Sequence, residues 1–376
     1  MRIAQVAPLY ESVPPRLYGG TERVVSTLTE TLVALGHDVT LFASGDSRTT
    51  ARLVATCPEA LRLGSAARDP MLWHVLHHQA VLDRADELDV IHFHTDYLHF
   101  PQAPLLRRAR LTTLHGRLDL PDLEFLYGRF RHEPVVSIST AQRRPLPMAN
   151  WIGNVPHGLP QDRFAAGAGR GGYLAFLGRI SPEKRVDRAI AIARRAGLPL
   201  RIAAKIDPAD RDYYEREIRP LLALPGVEFL GEIGEADKQA FLGEAHALLF
   251  PIDWPEPFGL VMIEALACAT PVIAFRRGSV PEVIEHGRSG YIVDSIEAAI
   301  EAVRHLGAIR RQDCRAAFAA RFTAERMARD YLDLYARLAA RHARAAAGLP
   351  AAWQASIRSA GRLVHDTPAG AGEGAA

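Results

Sequence analysis

The sequence predicts an α/β protein with two Rossmann-like domains that face each other across a cleft. Its 376 residues suit two domains, and 48% hydrophobic residues can supply two cores. Short apolar strands alternate with helical patterns along the chain, which is typical of parallel sheets covered by helices. Between the halves, residues 161–172 are small and flexible in character, as expected of an interdomain linker.

The composition argues against several classes of protein. A net charge of +2 favours neither nucleic acid nor a strongly anionic partner. The three cysteines, Cys57, Cys268 and Cys314, lie far apart without metal-binding or CxxC spacing, so we expect a reduced, cytoplasmic chain without disulfides. The N-terminus does not resemble a signal peptide, and no apolar run reaches a membrane-spanning length. The sequence does not decide whether the protein binds peripherally to a membrane.

The first elements predict a β-α-β unit. An apolar strand at residues 3–8 leads into a loop that ends in Gly19-Gly20-Thr21-Glu22, and apolar residues then recur at helical spacing up to Gly36. A Gly-Gly pair at a helix N-terminus lets a ligand, often a phosphate, approach the backbone closely. An unliganded flexible turn explains the pair equally well.

Histidines are frequent in the next stretch. Residues 48–87 are mostly helical in pattern, and His74 and His78 would lie on the same face of a helix, as metal ligands do. Because no third ligand is near them in the sequence, a packed or solvated helix face is favoured over a metal site. Further histidines lie near the ends of strands predicted at residues 90–94, 111–115 and 134–139. Doubly wound sheets bind ligands at the carboxyl ends of their strands, although a single histidine at such a position is more often structural. These strand-end histidines are His92, His94 and His115.

A further strand is predicted at residues 154–159, ahead of the linker. Residues 167–172 formally match G-x-G-x-x-G. The dinucleotide fingerprint must follow a strand and open a helix, whereas this match precedes a strand. A dehydrogenase is therefore not favoured.

The second half begins with a strand at residues 173–177, followed by Gly178-Arg179. Ser181 and Pro182 are typical of a helix start, which places Lys184 in the first helical turn. Two cations beside a helix N-terminus oppose the helix dipole but suit a bound diphosphate; two exposed loop charges are the alternative. Asp210-Arg211-Asp212 fits a manganese motif, but acidic residues at a helix start stabilise the dipole anyway, so no metal site is predicted.

Residues 254–271 organise the rest of the chain. Glu256 lies between two prolines after a strand at residues 247–250, and Pro257 suits the start of a helix predicted over residues 260–269. This helix is apolar almost all round, so its one ionisable group, Glu264, needs a partner. Two carboxylates near an anion-attracting helix N-terminus suit a phosphate flanked by hydroxyl groups. The alternative is a structural pair between Glu264 and a neighbouring arginine.

Three motifs resemble those of the family 4 retaining glycosyltransferases, which have the GT-B fold. E-P-F-G-L-x-x-x-E begins at Glu256, and R-G-S-x-P-E-x-I-x-x-G-x-x-G begins at Arg277. G-R-x-x-x-E-K begins at Gly178 and is similar to the family's pyrophosphate motif, but Arg185 stands where relatives usually have Gly. That side chain either crowds the turn or adds a third cation. The resemblance covers roughly residues 1–345.

The resemblance implies a metal-independent transfer of a sugar, with retention, from a nucleotide-diphosphate sugar to an unknown acceptor. A UDP-sugar is the commonest donor, and no cofactor is needed. His115, in Thr-Leu-His-Gly, and Glu256 would be catalytic, whereas His157 stands where many relatives have Asn and keeps an open role. The implied donor-binding residues are Gly19, Gly20, Arg179, Lys184, Ile233, Phe258, Gly259, Leu260 and Glu264.

The resemblance also implies how the chain is divided. We expect an acceptor-binding domain at residues 1–165, a nucleotide-sugar-binding domain at 170–322, a helix at 323–347 that crosses back to the first domain, and a flexible tail at 348–376. A nucleotide-sugar epimerase would use the same fold and donor without an acceptor. A non-catalytic nucleotide-sugar-binding protein would bind the donor and leave it intact.

Overall fold

The computed structural model describes residues 1–17, 19–62, 64 and 69–347. Its strands are β1 (Arg2–Val6), β2 (Asp38–Ala43), β3 (Arg52–Ala55), β4 (Val90–Phe93), β5 (Ala109–Thr113), β6 (Pro134–Ser137), β7 (Asn150–Asn154), β8 (Leu174–Ile180), β9 (Leu200–Ile206), β10 (Val227–Gly231), β11 (Ala247–Phe250), β12 (Val272–Phe275) and β13 (Gly290–Val293). Its α-helices are α1 (Gly20–Ala34), α2 (Pro70–Asp83), α3 (Pro121–Arg129), α4 (Val186–Ala196), α5 (Arg211–Tyr213), α6 (Arg219–Leu222), α7 (Glu235–Gly243), α8 (Leu260–Ala267), α9 (Val280–Val283), α10 (Ile296–Arg304), α11 (Arg311–Arg321) and α12 (Ala324–Ala347).

The strands form two parallel sheets, one in each half of the chain. The first has seven strands in the order β3-β2-β1-β4-β5-β6-β7, and the second has six in the order β10-β9-β8-β11-β12-β13. Strands β4 and β11 are buried along their whole length, as expected where helices cover both faces of a sheet. In each sheet the order reverses beside β1 or β8, and ligands bind at the carboxyl ends of strands at such points.

Helix α12 returns from the second half of the chain to the first sheet. It is 24 residues long, and its apolar side packs into the core of the first half. Tyr331 and Tyr335 are fully buried there, and the Tyr331 hydroxyl lies 2.8 Å from Oγ1 of Thr113. The predicted pair of Rossmann-like units and the returning helix are therefore confirmed.

Helices α4 and α8 each begin directly after a left-handed residue, which cannot belong to a right-handed helix. Helix α4 begins at Val186, after Arg185 with a φ of 53°, and not at Pro182. Lys184 therefore lies in the preceding turn. Helix α8 begins at Leu260, after Gly259 with a φ of 79°, and ends at Ala267 rather than at residue 269.

Two other segments also differ from the prediction. The stretch 48–87 contains the edge strand β3, which is too short to show a period of its own against the helical pattern around it. Residues 155–159 do not form a strand but follow β7. Leu159 N–H donates to the Phe322 carbonyl at 2.9 Å, which fixes this segment to the start of α12.

Within the described part of the chain, no helix is both long and apolar enough to cross a membrane. Cys57, Cys268 and Cys314 are buried and free. The tail predicted to be flexible, residues 348–376, lies outside the described residues.

Candidate active site

A cleft of about 550 Å³ lies between the two halves, at the carboxyl ends of the strands. It brings together every residue that the family resemblance implies to be catalytic or donor-binding. These are Gly19, Gly20, His115, Arg179, Lys184, Ile233, Glu256, Phe258, Gly259, Leu260 and Glu264.

The start of helix α8 forms one wall of the cleft. Gly259 allows the left-handed turn into the helix, and a Cβ there would lie 2.8 Å from Cε of Met262. Ser279 supports the loop from behind, because its hydroxyl donates to the Phe258 carbonyl at 2.8 Å and its N–H donates to the Glu256 carbonyl at 3.0 Å. The first N–H groups of α8 have no partner within the helix and are therefore suited to an anion.

The start of helix α1 faces the start of α8. A Cβ on Gly20 would lie 3.4 Å from the Leu260 side chain, and a Cβ on Gly19 would lie 2.6 Å from Cβ of Pro15. The Gly20 contact shows that two helix N-termini approach each other across the cleft, whereas Gly19 makes room for Pro15 within its own loop.

Lys184 and Glu256 form an ion pair within the cleft. The Trp254 indole N–H donates to the same carboxylate oxygen at 3.0 Å, and the Lys184 ammonium lies 4.8 Å from the centre of the Trp254 ring. Glu256 is 7% exposed. These contacts hold the Lys184 ammonium beside the start of α8, and the ion pair engages only one of its three N–H donors.

Arg179 of the pyrophosphate-like motif and Arg185, which directly follows the motif, differ in whether they face the cleft. Arg179 lines the cleft, and its guanidinium pairs with Glu183 at 2.5 Å and with Asp210 at 3.5 Å. Arg185 does not line the cleft but pairs with Asp187 at 2.7 Å and with Asp253 at 3.2 Å. Arg185 is therefore not a third cation facing the cleft.

Glu264 is ionised although it is buried. Its carboxylate accepts from Lys238 at 2.8 Å. Burial alone would raise the pKa of Glu264, but the positive charges of Lys238, Arg23 and Arg163 hold it below its ordinary value. The partner that the sequence requires is thus a lysine of α7, not the arginine of the alternative interpretation. Glu264 also lines the cleft, where a carboxylate can accept hydrogen bonds from hydroxyl groups.

An ion pair joins the two halves beside this carboxylate. Arg23 of α1 pairs with Glu235 of α7, and Arg163 lies 3.3 Å from the same carboxylate. The neighbouring Glu22 is 6% exposed, and its burial raises the pKa of its carboxyl to about 7. This wall of the cleft therefore includes a carboxyl group that is partly protonated at neutral pH.

His115 faces the cleft from the end of β5. Gln142 donates to the carbonyls of Leu114 and Gly116 at 2.9 and 3.0 Å, which fixes the backbone on both sides of the histidine. His157 stacks on His115 with ring centres 5.2 Å apart and an interplanar angle of 17°. Burial lowers the pKa of His115 to about 3, so the imidazole is neutral at physiological pH, with one nitrogen that can donate a hydrogen bond and one that can accept.

The other strand-end and helix-face histidines are hydrogen-bonded inside the first half. His92 lies 2.7 Å from both the Tyr335 hydroxyl and Thr113 Oγ1. His74 and His78 bond to the Pro70 carbonyl and to Thr95 Oγ1. In the described ranges, no group of three or more His, Cys, Asp or Glu side chains is placed to hold a metal ion.

Sequence patterns do not single out Lys238 and Trp254, both of which line the cleft. Trp254 adjoins the Glu256 motif, and an aromatic residue beside a buried carboxylate could have drawn attention to it. Lys238 carries no such signal, because it reaches Glu264 only through the packing of α7 against α8. His157 is the residue whose role the sequence leaves open, and the structure places it between the rings of His115 and Phe258.

The chain matches two family models that together span most of its length. The family described as "Glycosyltransferase Family 4" matches residues 18–150, and "Glycosyl transferases group 1" matches residues 161–320. The chain belongs to glycosyltransferase family 4. It is a transferase of the hexosyltransferase type, with the GT-B fold.

Individual relatives agree with this assignment of the glycosyltransferase. A glycogen synthase of Mycobacterium tuberculosis is 26% identical over 84% of this chain and 89% of its own. The crystal structure of AviGT4, a glycosyltransferase involved in avilamycin A biosynthesis, is 26% identical with a TM-score of 0.69, over 90% of this chain and 98% of its own. The structure of Anabaena HepE in complex with UDP-glucose shares the fold, with 18% identity and a TM-score of 0.69 over 90% of this chain and 100% of its own.

Proposed function

We propose that this glycosyltransferase moves a hexosyl group from a nucleoside-diphosphate sugar to a hydroxyl acceptor, with retention at the anomeric carbon and without a metal ion. The observation that carries this proposal is the meeting of a helix N-terminus, an ammonium group and a buried carboxylate in one cleft. These are the start of α8, Lys184 and Glu264. An anion flanked by hydroxyl groups is the ligand that such a site would bind. The complex of HepE with UDP-glucose supports the choice of ligand class.

The diphosphate would lie at the start of α8. N–H groups of Phe258, Gly259 and Leu260, together with Lys184 and Arg179, would take the charge that develops as the phosphate leaves. Cationic side chains and a helix N-terminus then provide the electrostatic stabilisation that a divalent ion provides in other transferases. Glu264 would accept hydrogen bonds from the ribose hydroxyls, and Ile233 would lie beside the base.

The sugar would lie between Glu256 and His115. As the bond between the anomeric carbon and the phosphate oxygen breaks, the acceptor oxygen forms its bond on the same face of the sugar. The proton of the acceptor hydroxyl passes to the departing phosphate oxygen, so a protein nucleophile is not required. Glu256 would orient the sugar hydroxyls, and the neutral His115 would hold the sugar through a hydrogen bond.

Thermal-shift measurements with UDP-glucose, GDP-mannose, ADP-glucose and TDP-glucose test the donor class. A ligand at a hundredfold its Kd stabilises by about 2.7 kcal/mol, so we expect one nucleotide group to raise the melting temperature clearly above the others. The absence of a shift with all four would contradict the proposal.

The stereochemistry is tested with the donor that binds, using water as the acceptor. Proton NMR recorded early in hydrolysis should show the sugar released with the anomeric configuration of the donor, at the same rate in EDTA. Release of the opposite anomer would contradict retention, and inhibition by EDTA would contradict metal independence. Isomerisation of the donor sugar would indicate an epimerase, and binding without any turnover a non-catalytic binding protein.

A further inference from the structure

A chain of hydrogen bonds connects the crossover helix α12 to the cleft. The Tyr335 hydroxyl lies 3.0 Å from Nε2 of Gln5. Oε1 of Gln5 lies 2.8 Å from Nε2 of His94, and Nδ1 of His94 lies 2.8 Å from Nε2 of His115. Gln5 and His94 are buried and do not line the cleft. One side of the His115 ring is therefore held by groups that do not reach the substrate.

The donor and the acceptor of each hydrogen bond in this chain follow from the bond before it. The Gln5 amide N–H donates to the Tyr335 oxygen, and 3.0 Å is typical of an N–H donor, whereas a hydroxyl donor lies closer. The other end of that amide is a carbonyl oxygen, which only accepts, so the proton of His94 is on Nε2. In a neutral imidazole the second nitrogen is then an acceptor. His94 Nδ1 accordingly accepts from His115 Nε2–H.

The second nitrogen of the His115 ring agrees with this assignment. Nδ1 of His115 is buried and has no hydrogen-bond partner among the residues that the structure describes. Buried N–H groups without a partner are rarer in proteins than buried acceptors without one, so a lone pair at this position is favoured over a proton. Burial also lowers the pKa of both His94 and His115, which keeps the two rings neutral.

We propose that Gln5 and His94 are positioning residues that hold His115 in the tautomer with the proton on Nε2, so that Nδ1 accepts a hydrogen bond from a substrate hydroxyl. The inference rests on the proposed function, because it describes how His115 meets the sugar. It also defines the group that His115 recognises. A hydroxyl can donate to Nδ1, whereas a fluorine atom or an ether oxygen cannot.

Nitrogen NMR of enzyme labelled with ¹⁵N-histidine reads the tautomer directly, without substrate. The His115→Gln variant identifies the His115 signals by their loss. We expect a protonated Nε2 and an unprotonated Nδ1 in the parent enzyme near pH 7. A proton on Nδ1 would overturn the proposal, because it would mean that the Gln5 amide is turned round and that every link of the chain is reversed.

His94→Gln and His94→Leu form a matched pair. Glutamine offers an N–H to Gln5 and a carbonyl oxygen to His115, as His94 does, whereas leucine offers neither. We expect the Nε2–H tautomer of His115 to persist in His94→Gln and to give way to a mixture of tautomers in His94→Leu. Turnover of the nucleotide sugar should fall about tenfold in His94→Leu, the equivalent of one hydrogen bond, and should be largely restored in His94→Gln.

A purely structural His94 gives a different result. His94→Leu would then lower the melting temperature while the His115 tautomer and the turnover stay at parental values, and the proposal would be overturned. The NMR experiment needs no substrate, so a wrong tautomer counts against this inference alone. The expected tautomer in an enzyme that turns over none of the nucleotide sugars would count against the proposed function instead.

Discussion

Replacing Glu22 by glutamine should stabilise the protein at high pH much more than at low pH. Glu22 is 6% exposed in the first turn of α1. Burial raises the pKa of its carboxyl from 4.5 to about 7. Between these two values the unfolded chain ionises while the native protein keeps its proton, so rising pH favours unfolding through this group.

The magnitude follows from the two pKa values. The destabilisation is absent well below pH 4.5, increases as the pH rises towards 7, and reaches about 3 kcal/mol above it. Glutamine carries no charge in either state and removes this pH dependence. Glu22→Gln should therefore increase the free energy of unfolding by about 2 kcal/mol more at pH 8 than at pH 5.

Urea unfolding of the parent and of Glu22→Gln at pH 5 and pH 8 measures this difference. Glu124→Gln is the matched control, because Glu124 is exposed in the first turn of α3 and the same chemical change there should have an effect that hardly depends on pH. If Glu22→Gln shifts the urea midpoint equally at both pH values, the account of Glu22 as a carboxyl destabilised by burial is wrong.

Three further predictions concern Arg185, Glu256 and Lys238. Arg185→Gly should be more stable to urea than Arg185→Ala by about 1 kcal/mol, because only glycine adopts the φ of 53° without strain; the reverse order would contradict this explanation. Glu256→Gln should lower kcat far more than it weakens UDP binding, since Glu256 is proposed to contact the transferred sugar, and an unchanged kcat would remove it from the mechanism. Lys238→Met should lower the free energy of unfolding by about 3 kcal/mol, because it removes the ammonium group that pairs with the buried Glu264 carboxylate. Adding Glu264→Gln should restore much of that loss, and a double variant no more stable than Lys238→Met would contradict the coupling.

The sequence predicts those parts of the fold and site that depend on local pattern. Alternating apolar segments predict the two parallel sheets, because strands covered on both faces are short apolar runs. The motif around Glu256 could be placed at a helix start, because proline and glycine have strong positional preferences there. The apolar surroundings of Glu264 in the sequence require a partner for its charge, and such a partner is present.

What the sequence does not predict depends on contacts between distant segments. The partner of Glu264 is Lys238, which lies 26 positions away on another helix. The helix after Lys184 starts late because Arg185 adopts a left-handed conformation, which local preferences assign to glycine. The chain from Tyr335 through Gln5 and His94 to His115 joins residues up to 330 positions apart. The spacing of residues in the sequence does not indicate such contacts.

Calorimetric titration of UDP into the parent and into Lys184→Gln tests most directly whether the diphosphate lies between α8 and Lys184. Arg188→Gln is the control, since it removes a nearby cation that pairs with Asp253 and does not line the cleft. A charge-assisted hydrogen bond contributes about 1.5–3 kcal/mol, so UDP should bind Lys184→Gln at least about tenfold more weakly, and the control as tightly as the parent. Equal affinity of Lys184→Gln and the parent for UDP would contradict the account.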